Sequence, residues 1–104
     1  MKIEWLGLAL RDLLGQAEYI AQDNPATAKR LVTRVCEAVD RLARRPGLGR
    51  PGRILGTREL VISGTPLVIP YRVREDRVEI LRVFHDAQRR PEASQGKGSN
   101  GRGR

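Results

Sequence analysis

The alternation of apolar and polar residues divides this chain into segments of two different periods. Residues 2 to 5 alternate, with Ile3 and Trp5 set against Lys2 and Glu4, which describes a short strand carrying Trp5 into the core. From Leu6 the spacing lengthens. Leu6, Leu10, Leu13, Ala17 and Ile20 recur at steps of four and three, and Leu14 and Ala21 widen the stripe of an amphipathic helix. The stripe stops at QDNP, where Asp23 or Asn24 can cap a second helix and Pro25 suits its first position. That helix sets Ala28, Leu31, Val32, Val35, Val39 and Leu42 on one face and Arg30, Arg34, Arg41 and Arg44 on or beside the other. It ends before Pro46-Gly47, because a proline biases the preceding residue out of the helical region.

Two striped helices joined by a short link predict an antiparallel hairpin. The apolar partner for both stripes lies further on. TRELVI (57–62), PLVIPYRVR (66–74) and RVEILRVFH (77–85) are rich in branched residues and separated by SGT and ED, which predicts an antiparallel meander. Pro70 cannot donate a ladder hydrogen bond, so a bulge or local break is expected there. The predicted architecture is α+β, in the order β-α-α-β-β-β, with a short N-terminal strand and the helical hairpin packed on a small antiparallel sheet. Residues 1–91 are expected to form this one domain. Residues 92–104 keep no apolar residue beyond one alanine and are expected to be disordered.

Charge adds a second layer. The 104 residues carry 20 basic and 12 acidic side chains, a net of +8, and only three of the basic residues are lysines. Arginine suits bidentate pairing with carboxylates and phosphates, although a high-GC genome also enriches it. An anionic partner is therefore plausible. The single cysteine, Cys36, cannot form an intramolecular disulfide, which fits a reducing cytoplasm, and its place among Val32, Val35 and Val39 makes it a small buried apolar residue. No apolar run approaches the ~20 residues of a membrane span, and neither a leader nor a membrane partner is expected.

Read in this order, the motifs resemble the RelE/ParE superfamily of toxins from type II toxin–antitoxin modules. The matching stretches are DLLGQAEYIAQDNPATAKRLV in the helical hairpin, RPGLGRPGR after it, GTRELVI in the first meander strand and YRVREDRVEILRVFHDAQRRP at the end. They span about residues 3 to 91. The resemblance implies a growth-arresting toxin neutralised by a cognate antitoxin whose acidic segment wraps around it, in a hetero-oligomer. Members similar to RelE cut messenger RNA on the ribosome, whereas members similar to ParE are described as inhibitors of DNA gyrase without nuclease activity.

Both activities leave candidates among the residues. Metal-free cleavage of RNA needs a base, an acid and cations on the phosphorane. Arg58, Arg82 and His85, with Glu59 as a base and Tyr71 more distantly, are the residue types available. Neither a metal nor a cofactor is expected. Several features weigh toward the binding toxin. The predicted sheet holds no lysine, no tyrosine follows Tyr71, and strict alternation sends Arg82 and His85 to opposite faces. His85 also suits a hydrogen-bonded strand end, and Glu59 and Glu79 suit cross-strand pairs with arginines. The ParE-like reading is preferred, with Arg50, Arg53, Arg58, Arg72 and Arg74 as partner-binding candidates and gyrase as target. The ribosome-dependent ribonuclease is the alternative.

Overall fold

The computed structural model describes residues 1–86, so the expected tail at 92–104 and the domain limit at 91 lie outside the described residues. Strand β1 (Lys2–Trp5) leads into helices α1 (Gly7–Ala21) and α2 (Pro25–Asp40), and α2 closes with a 3-10 turn at Arg41–Ala43. Strands β2 (Arg50–Pro51), β3 (Arg58–Val61), β4 (Leu67–Arg74), β5 (Arg77–Ile80) and β6 (Phe84–His85) follow. Asn24 is the residue that caps α2: its side-chain oxygen accepts the Thr27 N–H at 3.1 Å, with Pro25 at the first helical position.

The spatial order of the sheet is β1-β5-β4-β3-β2, with β6 also paired to β4. The meander β3-β4-β5 is antiparallel as expected, but the sheet as a whole is mixed, because β1 lies parallel to β5 with Lys2 opposite Arg77 and Trp5 opposite Ile80. Parallel neighbours need a long connection, and the helical hairpin and meander between them supply it. Arg50 and Pro51, read as loop, join the sheet as β2 opposite Glu59 and Arg58.

Both helices cover one face of the sheet. Ala9, Leu13, Val35, Ala38, Val39 and Leu42 meet Leu60, Ile62, Leu67, Ile69, Tyr71, Val78, Ile80 and Val83 in one buried cluster, with Ile3 and Trp5 packed at its side. Burying a large aliphatic side chain of this kind contributes roughly 1.5–3 kcal/mol. The α1 stripe is narrower than its leucines suggest. Leu10 and Leu14 are 46% and 60% exposed, because α1 is turned so that Ala9 and Leu13 face the sheet. Cys36 is half-buried rather than buried. Its thiol pKa is raised, by burial and then by the nearby Asp40 carboxylate.

Pro70 sits in an unbroken β4, and the break it causes falls on its neighbour. The Pro70 carbonyl accepts the Leu81 N–H at 3.0 Å, so its nitrogen, which lacks a hydrogen, faces that same side. There residues 81–83 leave the ladder, which splits the expected strand 77–85 into β5 and β6.

Candidate functional site

Alternation along the strands places Arg50, Glu59, Arg72, Arg74, Arg77 and Glu79 on the sheet face away from the helices. Two glutamates are buried within that layer of arginines. Glu59 is 4% exposed, accepts from Arg50 Nε and Nη2 at 3.4 and 3.3 Å, and accepts the Arg53 backbone N–H at 3.2 Å. Glu79 is 6% exposed and is held by Arg72 Nε at 2.6 Å and by Arg77 Nε and Nη2 at 3.1 and 3.0 Å, with Arg74 Nε at 3.8 Å. The register also sets Glu4 directly opposite Glu79, a repulsive pair on its own. Arg77 resolves it by reaching Glu4 at 3.0 Å as well. The Arg72 hydrogen bond lowers the Glu79 pKa against the opposing effect of burial, and Arg77 adds to the lowering. The Arg77 pKa is raised, chiefly by its hydrogen bond to Glu79.

The four catalytic candidates are not brought together. Glu59 lies on the arginine face. Arg58 takes the opposite side of β3, in register with buried Tyr71, and donates to the Gly49 and Gly47 carbonyls at 2.8 and 3.5 Å. His85 pairs in register with Leu67, four residues before Tyr71, on the other side of β4 from β3. Strand geometry therefore separates the Arg58 and His85 backbones by about 16 Å. Arg82 belongs to the segment that left the ladder. It donates from Nε and Nη2 to the Asp12 carboxylate at 2.8 and 3.1 Å, and its guanidinium lies 4.8 Å from the Phe84 ring centroid.

Asp12 is the partner that sequence patterning missed. It also accepts the Val83 N–H at 3.0 Å, and so ties α1 to the crossing between β5 and β6. Burial pushes its carboxyl pKa upward, yet the Arg82 and Val83 hydrogen bonds outweigh that and leave it lowered. The available signal was an acid on the flank of α1, between the buried positions Ala9 and Leu13.

Tyr71 also has a structural task. Its hydroxyl donates to the Pro46 carbonyl at 2.7 Å and accepts the Gly49 N–H at 2.8 Å, which pins the loop after the helices to the sheet. A Cβ at Gly49 would lie 2.7 Å from the Tyr71 ring and 2.8 Å from the Glu59 carbonyl, so only glycine fits this approach. Burial raises the Tyr71 pKa despite the Gly49 N–H, which favours the phenolate. Beyond this pin, the turn between β2 and β3 carries Ile54 and a fully exposed Leu55, with Gly56 at φ +85°. Among the described residues, no group of three or more His, Cys, Asp or Glu is placed to hold a metal ion, and no helix is long and apolar enough to cross a membrane.

Set against known proteins, the family described as ParE toxin of the type II toxin–antitoxin system parDE matches residues 3–90. The chain belongs to the ParE toxin family. A relative of this ParE-family chain named "Putative toxin Y4kP", from Sinorhizobium fredii (strain NBRC 101917 / NGR234), is 50% identical over 91 residues, which is 88% of this chain and 94% of that protein. A solved structure described as the chromosomal ParDE TA system from P. aeruginosa is 30% identical with a TM-score of 0.74. That match covers 82% of this ParE-family chain and 95% of the other.

Proposed function

We propose that this ParE-family toxin arrests growth by binding DNA gyrase, and that a cognate antitoxin neutralises it with an acidic wrapping segment. The observation that carries the binding reading is the dispersal of the catalytic candidates. Arg82 is committed to Asp12, Arg58 to two backbone carbonyls and Glu59 to Arg50, and Arg58 and Glu59 take opposite faces of β3. Cleavage of RNA needs base, acid and cation within hydrogen-bond reach of one phosphate.

The arginine face supplies the antitoxin contact. Each guanidinium has five donors, and the intramolecular pairs of Arg50, Arg72 and Arg74 use only some of them. Arg50 and Arg74 are about half exposed, so an acidic segment reaches them without first displacing Glu59 or Glu79. The backbone N–H of Arg53 anchors Glu59 from the neighbouring turn, which holds Arg53 beside the same face. Arg58 stands apart, because its guanidinium already serves the loop at 47–49. The complex is a hetero-oligomer of toxin and antitoxin, and its setting is the bacterial cytoplasm.

The deciding experiment pairs two assays on one purified preparation. Inhibition of gyrase supercoiling, with messenger RNA on programmed ribosomes left intact, is the expected result. Ribosome-dependent cleavage without any effect on gyrase would establish the alternative ribonuclease.

A further inference from the structure

The arginines of the sheet are largely neutralised within the fold; those of α2 are not. Arg50, Arg72, Arg74, Arg77 and Arg82 each contact a carboxylate. From Pro25 to Arg45 the chain carries six cations, Lys29, Arg30, Arg34, Arg41, Arg44 and Arg45, against Glu37 and Asp40, a net of +4 out of its total +8. All six are exposed, and among the described residues none of them forms an ion pair. Arg30 donates to the Thr27 hydroxyl and Arg34 to the Ser63 carbonyl, neutral partners that leave the charge in place. Steps of 100° put Arg30, Arg34 and Arg41 within about 40° of one another on the helix. The stripe lies about 120° round the helix from the centre of the buried side formed by Ala28, Val35, Ala38 and Val39, with Arg34 on the flank nearest the sheet.

We infer that this helix face grips the phosphate backbone of duplex DNA. From Arg30 to Arg41 the stripe runs about 17 Å, at 1.5 Å per residue, the length of about five base pairs, and the 3-10 turn carries Arg44 beyond its end. Phosphates along a strand ask for cations at fixed spacing and little else, which is what a rigid helix face presents. A protein or peptide partner asks for apolar anchors at the centre of the contact. Between and beside the cations this face carries Ala26, Thr27, Thr33 and the acids Glu37 and Asp40, with no large apolar anchor among them. Single-stranded nucleic acid asks for aromatic platforms on which bases stack, and α2 has no aromatic residue. A shallow groove of about 500 Å³ runs along Lys29, Arg30, Thr33 and Arg34, with Glu37 also in its lining. The DNA grip stands on charge and geometry and does not depend on gyrase being the target.

The test is fluorescence anisotropy of the full chain with a labelled duplex of arbitrary sequence, across a salt series. Two triple variants carry the same change of charge. Arg30→Gln, Arg41→Gln and Arg44→Gln together alter the stripe, while Lys2→Gln, Arg11→Gln and Lys97→Gln alter cations elsewhere in the chain. The stripe variant is expected to lose tenfold or more in affinity, and its slope of log K against log salt is expected to fall by about 2 to 3, near 0.9 for each phosphate contact removed. The control variant is expected to change little. Circular dichroism melts of both variants confirm folded protein. Equal losses in the two triples would reduce the effect to net charge and overturn the proposal. So would tighter binding to the single strand than to the duplex, or preference for an acidic peptide over the duplex.

Discussion

Arg82 grips Asp12 through two hydrogen bonds, Nε to Oδ2 at 2.8 Å and Nη2 to Oδ1 at 3.1 Å, across 70 residues of sequence. This pair holds the chain where it leaves the sheet opposite Pro70, and the same carboxylate caps the Val83 N–H. An arginine that is a plausible phosphate-binding cation in the sequence is thereby a structural strap between α1 and the sheet.

Removal of that carboxylate should be costly. Asp12→Ala is expected to destabilise the fold by about 1–2 kcal/mol, a range that allows for the partial exposure of Arg82. Urea denaturation followed by circular dichroism measures it. The pH dependence has a definite sign. The folded pKa of Asp12 lies below its ordinary value of 3.8, so its contribution is present above that value and is lost as pH falls through the folded pKa. Asp12→Asn should therefore flatten the acid limb of a stability–pH curve below about pH 4, while the Glu79 contribution, with the same sign, persists.

The pin between Tyr71 and the loop is testable with one oxygen. Tyr71→Phe leaves the Pro46 carbonyl and the buried Gly49 N–H without their partner, an expected cost of about 1–3 kcal/mol in thermal or urea melts. Gly49→Ala should be worse, because the added Cβ meets backbone on one side and a fully buried ring on the other.

Arg50 and Glu59 invite a double-mutant cycle. Arg50→Ala leaves the buried Glu59 carboxylate with less compensation, and a cost of about 1–2 kcal/mol is expected. The double variant Arg50→Ala/Glu59→Gln should recover part of that loss. Antitoxin affinity, measured by calorimetry, should stay low in both variants if the guanidinium is the contact. Full recovery of affinity in the double variant would assign Arg50 a purely structural role.

His85 separates the two activities of the superfamily. His85→Ala is expected to keep growth arrest on induction, because the binding toxin asks nothing of an imidazole. Loss of arrest in a variant that stays folded and antitoxin-bound would assign His85 to catalysis and overturn the gyrase reading.

Local pattern was enough for β1, both helices and the three runs of the meander, though not for β2. The 3.6-residue stripes, the Asn24–Pro25 start of α2, the Pro46–Gly47 stop and the three branched runs are signals written in neighbouring residues, so they can be read without a fold. What faces what depends on contacts between residues far apart in sequence. The exposure of Leu10 and Leu14 follows from how α1 is rotated on the sheet, and periodicity cannot state that rotation. The parallel pairing of β1 follows from β4 and β5 folding back to meet it. Pro70 announced a break, but only the packed sheet decided that residues 81–83 would carry it. The arginines show the division most plainly. Their number is a property of the sequence, whereas their availability was decided by which carboxylates the fold carried to them, Asp12 to Arg82, Glu59 to Arg50 and Glu79 to Arg72, while the arginines of α2 pair with none among the described residues.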